Sequence, residues 1–283
     1  MISRLSGAVL RAMLVVLLVA TPSLLLPGIG ADGQQIVALV AIFGAALTIF
    51  EYASAYPGLV EFRDAPPFNR IRYISLFTTV FLLTVIARGQ IEPTTLTQFI
   101  TAIGALIGLA IDFPYSPVRL VVLMLPEGTS LSQVSLVRTA AGMSYLISLL
   151  TLGIFLIVLR LRSWPASSGT FNVWVNLPTF DPTAGKDVVK RLERDARFNI
   201  ALGFLLPFLT PAAIKSAAVL FGSVTLDNPQ TLIWTVSAWA FLPASLFMRG
   251  IALARVAEMI AAKRRETYAQ AQGAAKDENY QLT

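Results

Sequence analysis

Long apolar runs dominate the pattern along this chain, and short polar stretches separate them. A helix needs about 20 apolar residues to cross the hydrocarbon core of a bilayer. Runs that approach this length cover 12–29, 36–56, 73–87, 94–111, 139–159, 198–221 and 231–248. A shorter apolar patch, 121–125, lies between Pro117 and Pro126. The pattern predicts an all-α fold: a polytopic transmembrane helical bundle of about seven to eight membrane segments.

The composition agrees with a chain that is embedded in lipid. Of the 283 residues, 55% are hydrophobic and 13% are charged, whereas a soluble domain carries about 25% charged residues. This excludes a disordered chain, a disulfide scaffold and an ordinary soluble enzyme. The chain has no Cys and no His, which removes thiolate chemistry, iron–sulfur clusters, the usual zinc and haem sites and a Ser–His triad. We therefore expect no cofactor and no metal.

The net charge of +6 is explained by membrane topology. Lys and Arg concentrate in hydrophilic segments beside apolar runs, as the positive-inside rule requires of cytoplasmic loops. The sequence lacks the basic face with interleaved aromatics that is typical of a nucleic-acid-binding domain, so no nucleic-acid partner is expected. We predict an integral multi-pass protein of a bacterial inner (cytoplasmic) membrane, with both termini in the cytoplasm.

The number of crossings must be even to satisfy this charge distribution. Seven crossings would place the basic segment 160–197 and the C-terminal tail outside if the amino end is inside. An additional membrane-embedded segment within 117–137 restores the even number, and we favour this solution. Cleavage of 1–30 as a signal peptide is the alternative, because this segment has a basic start, an apolar run and small residues at Gly28 and Gly30.

Two segments are predicted to lie outside the bilayer. A single transmembrane domain covers 1–248 and includes a cytoplasmic loop, 163–197, whose residues 171–177 alternate and suggest a short strand or extended arm. Downstream, charged pairs spaced four residues apart predict a basic amphipathic loop helix. Residues 249–283 are predicted to form a cytoplasmic amphipathic helix and a frayed tail.

The basic helices of these two segments are candidate docking surfaces. Anionic lipid head groups at the cytoplasmic face are the expected ligand, because they attract basic amphipathic helices. A partner protein is the alternative. The candidate residues share a positive charge: Lys186, Lys190, Arg191, Arg194, Arg255, Lys263, Arg264 and Arg265.

Glu51 and Lys215 are charged residues within apolar runs, and both are candidate polar or transport residues of the membrane interior. A carboxylate at such depth should be protonated, paired or near water, and Arg11 or Arg119 is expected within reach of Glu51. Lys215 lies toward the opposite face, about 15 Å away along the membrane normal at 1.5 Å per residue. A direct Glu51–Lys215 pair is therefore not expected, and Lys215 should snorkel outward.

Gly104 and Gly108 form a GxxxG pattern that predicts helix packing. Small residues on one face let helix backbones approach closely. Packing within the bundle is the leading interpretation, and a homodimer or partner interface is the alternative. Pro207 and Pro211 interrupt another run, as in the broken helices that line transporter sites, although proline is frequent in membrane helices in general.

The sequence motifs favour a non-catalytic protein. The sequence shows no nucleophile with an adjacent base and no phosphate-binding glycine motif, so we expect no enzyme activity. The leading hypothesis is an accessory, scaffold or assembly subunit that packs against other membrane proteins of a complex. The alternative is a small secondary transporter or channel, which should show a polar cavity that reaches Glu51 or Lys215. A scaffold should instead have a dry interior with both residues at its interfaces.

Overall fold

The computed structural model describes residues 2–162, 164–165, 171–181, 183, 185, 187–221 and 225–281. Within these residues the chain is all-helical and has no strand, which confirms the predicted fold class. The helices are α1 (Ile2–Leu25), α2 (Ala31–Ala53), α3 (Phe68–Gly89), α4 (Thr95–Ile111), α5 (Pro117–Leu123), α6 (Leu131–Leu161), α7 (Val173–Asn176), α8 (Val188–Phe221) and α9 (Pro229–Gln281).

Several helices are suited to a bilayer. Among the described residues, six are long and apolar enough to cross a membrane: Leu5–Leu25, Ala31–Ala53, Phe68–Gly89, Leu131–Leu161, Val188–Ala218 and Pro229–Gln272. The sequence predicted seven to eight segments. The difference lies in α4, which is apolar but has only 17 residues, and in α5, which has seven.

The long helices alternate in direction. Ser75 near the start of α3 and Thr151 near the end of α6 form a 2.8 Å hydrogen bond, so these two helices are antiparallel. Gln230 at the start of α9 donates a hydrogen bond to Ser23 near the end of α1. We call the end of the bundle that carries the α2–α3 loop and the start of α8 the basic end, and we call the other end the opposite end.

Helix α4 does not return to the basic end. Its first turn lies against Gly89, the last residue of α3, where an added Cβ would be 2.9 Å from the Thr97 side chain. Its last turn leads to Asp112, which pairs with Arg138 near the start of α6. Because the end of α3 and the start of α6 both lie at the opposite end, α4 begins and ends near that end.

A segment at the basic end is helical, whereas the sequence predicted a short strand or extended arm there. Residues 173–176 form the one-turn helix α7, and the Asn172 side chain caps it by accepting a hydrogen bond from the Trp174 N–H. The expected strand at 171–177 is therefore wrong. Val175, Asn176 and Leu177 are all buried, so the alternation of apolar and polar residues does not correspond to an alternation of burial.

The exposed amphipathic segments continue the membrane helices. α8 extends from Val188 through Phe221, so the expected loop helix and the following apolar run are one helix. α9 extends from Pro229 through Gln281 in the same way. The predicted docking residue Lys186 lies outside the described residues.

Candidate functional site

Glu51 lies in the last turn of α2, and its side chain is held by the loop that follows. The residue is 3% exposed. Its Oε2 accepts hydrogen bonds from the backbone N–H groups of Gly58, Leu59 and Val60 at 2.9–3.0 Å. Successive N–H groups that point at one anion form a concave binding site for negative charge. The loop therefore compensates the carboxylate that the sequence analysis had assigned to Arg11 or Arg119.

Arg63 binds the carbonyl groups at the end of α2. Its Nη1 donates to the carbonyl oxygens of Glu51 at 3.0 Å and of Ser54 at 2.7 Å. The last carbonyl groups of a helix have no partner inside the helix, so the guanidinium caps α2. Together, Glu51 and Arg63 fasten the α2–α3 loop to the end of α2.

Lys215 lies at the opposite end. It is exposed on α8, and its Nζ is 3.5 Å from the carbonyl oxygen of Leu125, just after α5. In the part of the chain that the structure describes, no ion pair joins Lys215 to Glu51, which agrees with the depths expected from the sequence.

A partly buried ion pair joins the α2–α3 loop to α9 at the basic end. Both oxygens of Glu61 accept hydrogen bonds from Arg249, at 2.6 and 2.7 Å. Thr179 also donates to Glu61, and Asn69 donates to its carbonyl oxygen. Sequence reasoning missed this pair. The available signal was the position of Arg249 directly after an apolar run, but the partner is 188 residues away.

An aromatic cluster forms the core of the same end. The Phe62 ring lies 4.5 Å from that of Phe68 and 5.7 Å from that of Trp164. Phe62 has a φ of 51°, which is an unfavourable backbone conformation for a bulky residue. Its N–H donates to the Asn176 carbonyl oxygen at 2.7 Å, so the cluster and this hydrogen bond hold the loop against α7.

Most of the predicted docking cations have partners within the chain. Those on α9 form the pairs Arg255–Glu258, Lys263–Glu266 and Arg264–Asp187, and those on α8 form Arg194–Asp195 and a stacking contact of Arg191 with Phe180. Lys190 and Arg265 are exposed. The Arg264–Asp187 pair joins the start of α8 to α9. A hydrogen bond from Arg264 and another from the Val189 N–H lower the pKa of Asp187.

A second charged cluster, also missed from the sequence, lies at the opposite end. The Asp112 side chain is 4% exposed and lies between Arg119 and Arg138, with each Nε 2.7 Å from a carboxylate oxygen. Asp112 directly follows α4, Arg119 lies in α5 and Arg138 lies in α6. The cluster therefore ties three helices together and has an excess positive charge.

Gly104 and Gly108 lie where α4 crosses α6. A Cβ added at Gly104 would meet Thr139 at 2.9 Å, and one at Gly108 would meet the Arg138 carbonyl oxygen at 2.9 Å. Gly142 faces them from α6, and a Cβ there would lie 2.5 Å from the Gly108 Cα. Glycine is required at this crossing because the two backbones touch.

An apolar cavity of about 370 Å³ lies between α5, α8 and α9. Val121, Pro211, Trp239 and Pro243 are among its lining residues. Since Pro211 has no N–H, the Pro207 carbonyl oxygen loses its usual helical partner. The Trp239 indole N–H donates to this oxygen at 3.1 Å, so the protein itself satisfies the backbone group that the proline frees.

These features define a multi-pass helical membrane protein whose apolar helices contact the lipid bilayer. Within the described residues, no group of three or more acidic side chains that could hold a metal ion comes together. Comparisons of the chain with protein-family models, with curated proteins and with solved structures find no match.

Proposed function

We propose that this protein is a non-catalytic accessory, scaffold or assembly subunit of a membrane complex. One observation carries the proposal: three carboxylates withdrawn from solvent already have partners within the chain. Glu51 is bound by backbone N–H groups, Glu61 by Arg249 and Asp112 by two arginines. A carboxylate that carries an ion or proton must exchange its partner during each cycle, whereas these pairs connect helices and loops.

The proposed location is a bacterial inner membrane, with both termini in the cytoplasm. Six long helices, with α4 and α5 kept at the opposite end, give an even number of crossings. This supports the same-side placement of the termini without an eighth segment. The basic end would then face the cytoplasm, in agreement with the positive-inside rule.

The proposed docking surface is the basic end. Its exposed cations, which include Lys190, Arg194 and Arg265, would face anionic lipid head groups. Trp174 on α7 is 54% exposed at the same end. Exposed aromatic residues beside basic residues are typical of protein interfaces, which supports contact with another membrane protein there.

Purification in a mild detergent tests the scaffold role. We expect a partner that co-purifies at constant stoichiometry and is lost in the Trp174→Ala variant. Phe113→Ala is the matched control, because Phe113 is 56% exposed but lies near the opposite end. A chain that purifies alone, or a partner that is retained equally by both variants, would contradict the proposed surface.

The alternative is a small secondary transporter or channel that uses Glu51 and Lys215. The prolines Pro211 and Pro243 beside the cavity are the feature in common with transporter sites, many of which are lined by proline-interrupted helices. The cavity lining is apolar, however, and includes neither Glu51 nor Lys215. Ion or proton flux in proteoliposomes decides between the two functions. We expect no flux above that of protein-free vesicles; flux that Glu51→Gln abolishes would establish the alternative.

A further inference from the structure

Arg72 is a cation with too few acceptors. It is half-buried in the second turn of α3, at the basic end. Among the described residues, its buried Nε has no hydrogen-bond acceptor, and its Nη1 reaches only Asn69 Oδ1, at 3.5 Å. The rings of Phe68 and Phe241 lie 5.3 and 5.8 Å from its guanidinium carbon. A guanidinium has five N–H donors, and leaving them unpaired away from water is costly.

The nearby carboxylate does not supply the missing acceptor. Glu61 interacts electrostatically with Arg72, but both of its oxygens bind Arg249 at 2.6–2.7 Å. No carboxylate of the described chain forms an ion pair with Arg72. Because Arg249 is itself a cation, the Glu61–Arg249 pair leaves the positive charge of Arg72 uncompensated.

Arg11 and Tyr52 add to the same polar region. The Tyr73 hydroxyl donates to the Leu14 carbonyl oxygen at 2.8 Å, which places α1 beside the start of α3. Arg11 lies one turn earlier on α1, with its guanidinium carbon 4.5 Å from the centre of the Tyr52 ring. Tyr52 in turn interacts electrostatically with Arg11 and Arg72. Two cations and a phenol thus converge where α1, α2 and α3 meet.

We propose that Arg72, with Arg11 and Tyr52 beside it, binds a phosphate group. Arginine presents paired N–H donors that match two phosphate oxygens, and the Tyr52 hydroxyl adds a donor. The site lies at the level where α2 ends, which is the level expected for lipid head groups. An anionic phospholipid of the basic-side leaflet would supply this phosphate, with its acyl chains along the apolar helices. The site is separate from the exposed cations of the proposed docking surface.

The test uses the full chain in detergent micelles containing phosphatidylcholine. Phosphatidylglycerol is added stepwise, lipid binding is counted by native mass spectrometry, and the melting temperature is followed. We expect one retained phosphatidylglycerol and a rise in melting temperature for the natural protein. Arg72→Gln should weaken the affinity about tenfold or more, because a charge-assisted hydrogen bond is lost. Arg72→Lys should lie between the two, since lysine keeps the charge but not the paired donors.

Arg70→Gln is the matched control, because Arg70 is exposed two residues earlier on the same helix and its loss changes the net charge equally. It should keep the affinity of the natural protein. Inorganic phosphate serves as a competitor: displacement at millimolar concentration identifies free phosphate as the ligand, and no displacement identifies the lipid. Equal affinities of Arg72→Gln and Arg70→Gln would overturn the proposal. If Arg72→Gln does not fold, a natural protein that is stabilised by neither phosphatidylglycerol nor phosphate overturns it.

Discussion

Glu61 binds Arg249 through both carboxylate oxygens, across 188 residues of sequence. The pair connects the α2–α3 loop to α9, and its side chains are 13% and 29% exposed. Glu61 also interacts electrostatically with Arg72. The pair therefore holds the α2–α3 loop against α9 and places a negative charge at the basic end.

Removing this carboxylate should destabilise the bundle. We expect Glu61→Gln to lower the free energy of unfolding by about 1–3 kcal/mol, because Arg249 is left without its anion in a partly buried place. Unfolding in mixed detergent micelles measures this change. Glu92→Gln is the control, since the Arg88–Glu92 pair is exposed and such pairs contribute about 0–1 kcal/mol. Equal losses in the two variants would contradict the structural role of Glu61.

The crossing of α4 and α6 should not accept a methyl group. Gly142→Ala would place a Cβ 2.5 Å from the Gly108 Cα, so we expect a loss of about 1–3 kcal/mol from overpacking. Gly153→Ala is the matched control on the same helix, because its added Cβ would have no described atom within 4 Å apart from its chain neighbours and the adjacent backbone of its own helix. It should be neutral or slightly stabilising. Comparison of the two melting temperatures checks the prediction, and a neutral Gly142→Ala would refute this close contact.

The Glu51 carboxylate should protect the amides that it binds. In Glu51→Gln we expect faster hydrogen exchange at Gly58, Leu59 and Val60, because an amide side chain lacks the charge and the second oxygen acceptor. Hydrogen exchange followed by mass spectrometry over the α2–α3 loop measures the effect. Exchange elsewhere, for example across α6, should stay unchanged. Unaltered loop exchange would show that Glu51 does not hold this loop.

Acidification should release the start of α8 from α9. The pKa of Asp187 is lowered in the folded protein, so its contribution to stability is present above the unfolded pKa of about 3.9. That contribution is lost as the pH falls through the lower folded value. Spin labels introduced by Lys190→Cys and Thr267→Cys should move apart only at such acidic pH. With Asp187→Asn the distance should be pH-independent; a pH dependence that persists would assign the release to another group.

The position of α4 predicts the accessibility of the segment that follows it. Tyr115 is 86% exposed between α4 and α5, and the chain has no Cys. In intact cells, Tyr115→Cys should react with a membrane-impermeant maleimide, whereas Trp174→Cys should react only after permeabilisation. If α4 crossed the membrane, Tyr115→Cys would be protected in intact cells.

The charged contacts show which features of the site could be predicted from the sequence and which could not. Glu51 was recognised as a carboxylate that needs compensation, but its backbone partners depend on how residues 58–60 turn back. The Asp112–Arg138 pair could not be predicted, because each residue appeared only as the boundary of an apolar run. Hydropathy locates such boundaries along the chain, and it does not state which boundaries meet in space.

The lipid environment and the helical fold class could be assigned from the amino-acid sequence alone. Both follow from local composition, because apolar runs avoid water and a backbone in lipid must form its hydrogen bonds internally. The concentration of Lys and Arg in a few hydrophilic segments is likewise visible in the sequence. The position of α4 at the opposite end required the three-dimensional fold, since it depends on backbone contact between Gly108 and Gly142. The same holds for Glu61 and Arg249, whose pairing requires segments distant in sequence to pack together first.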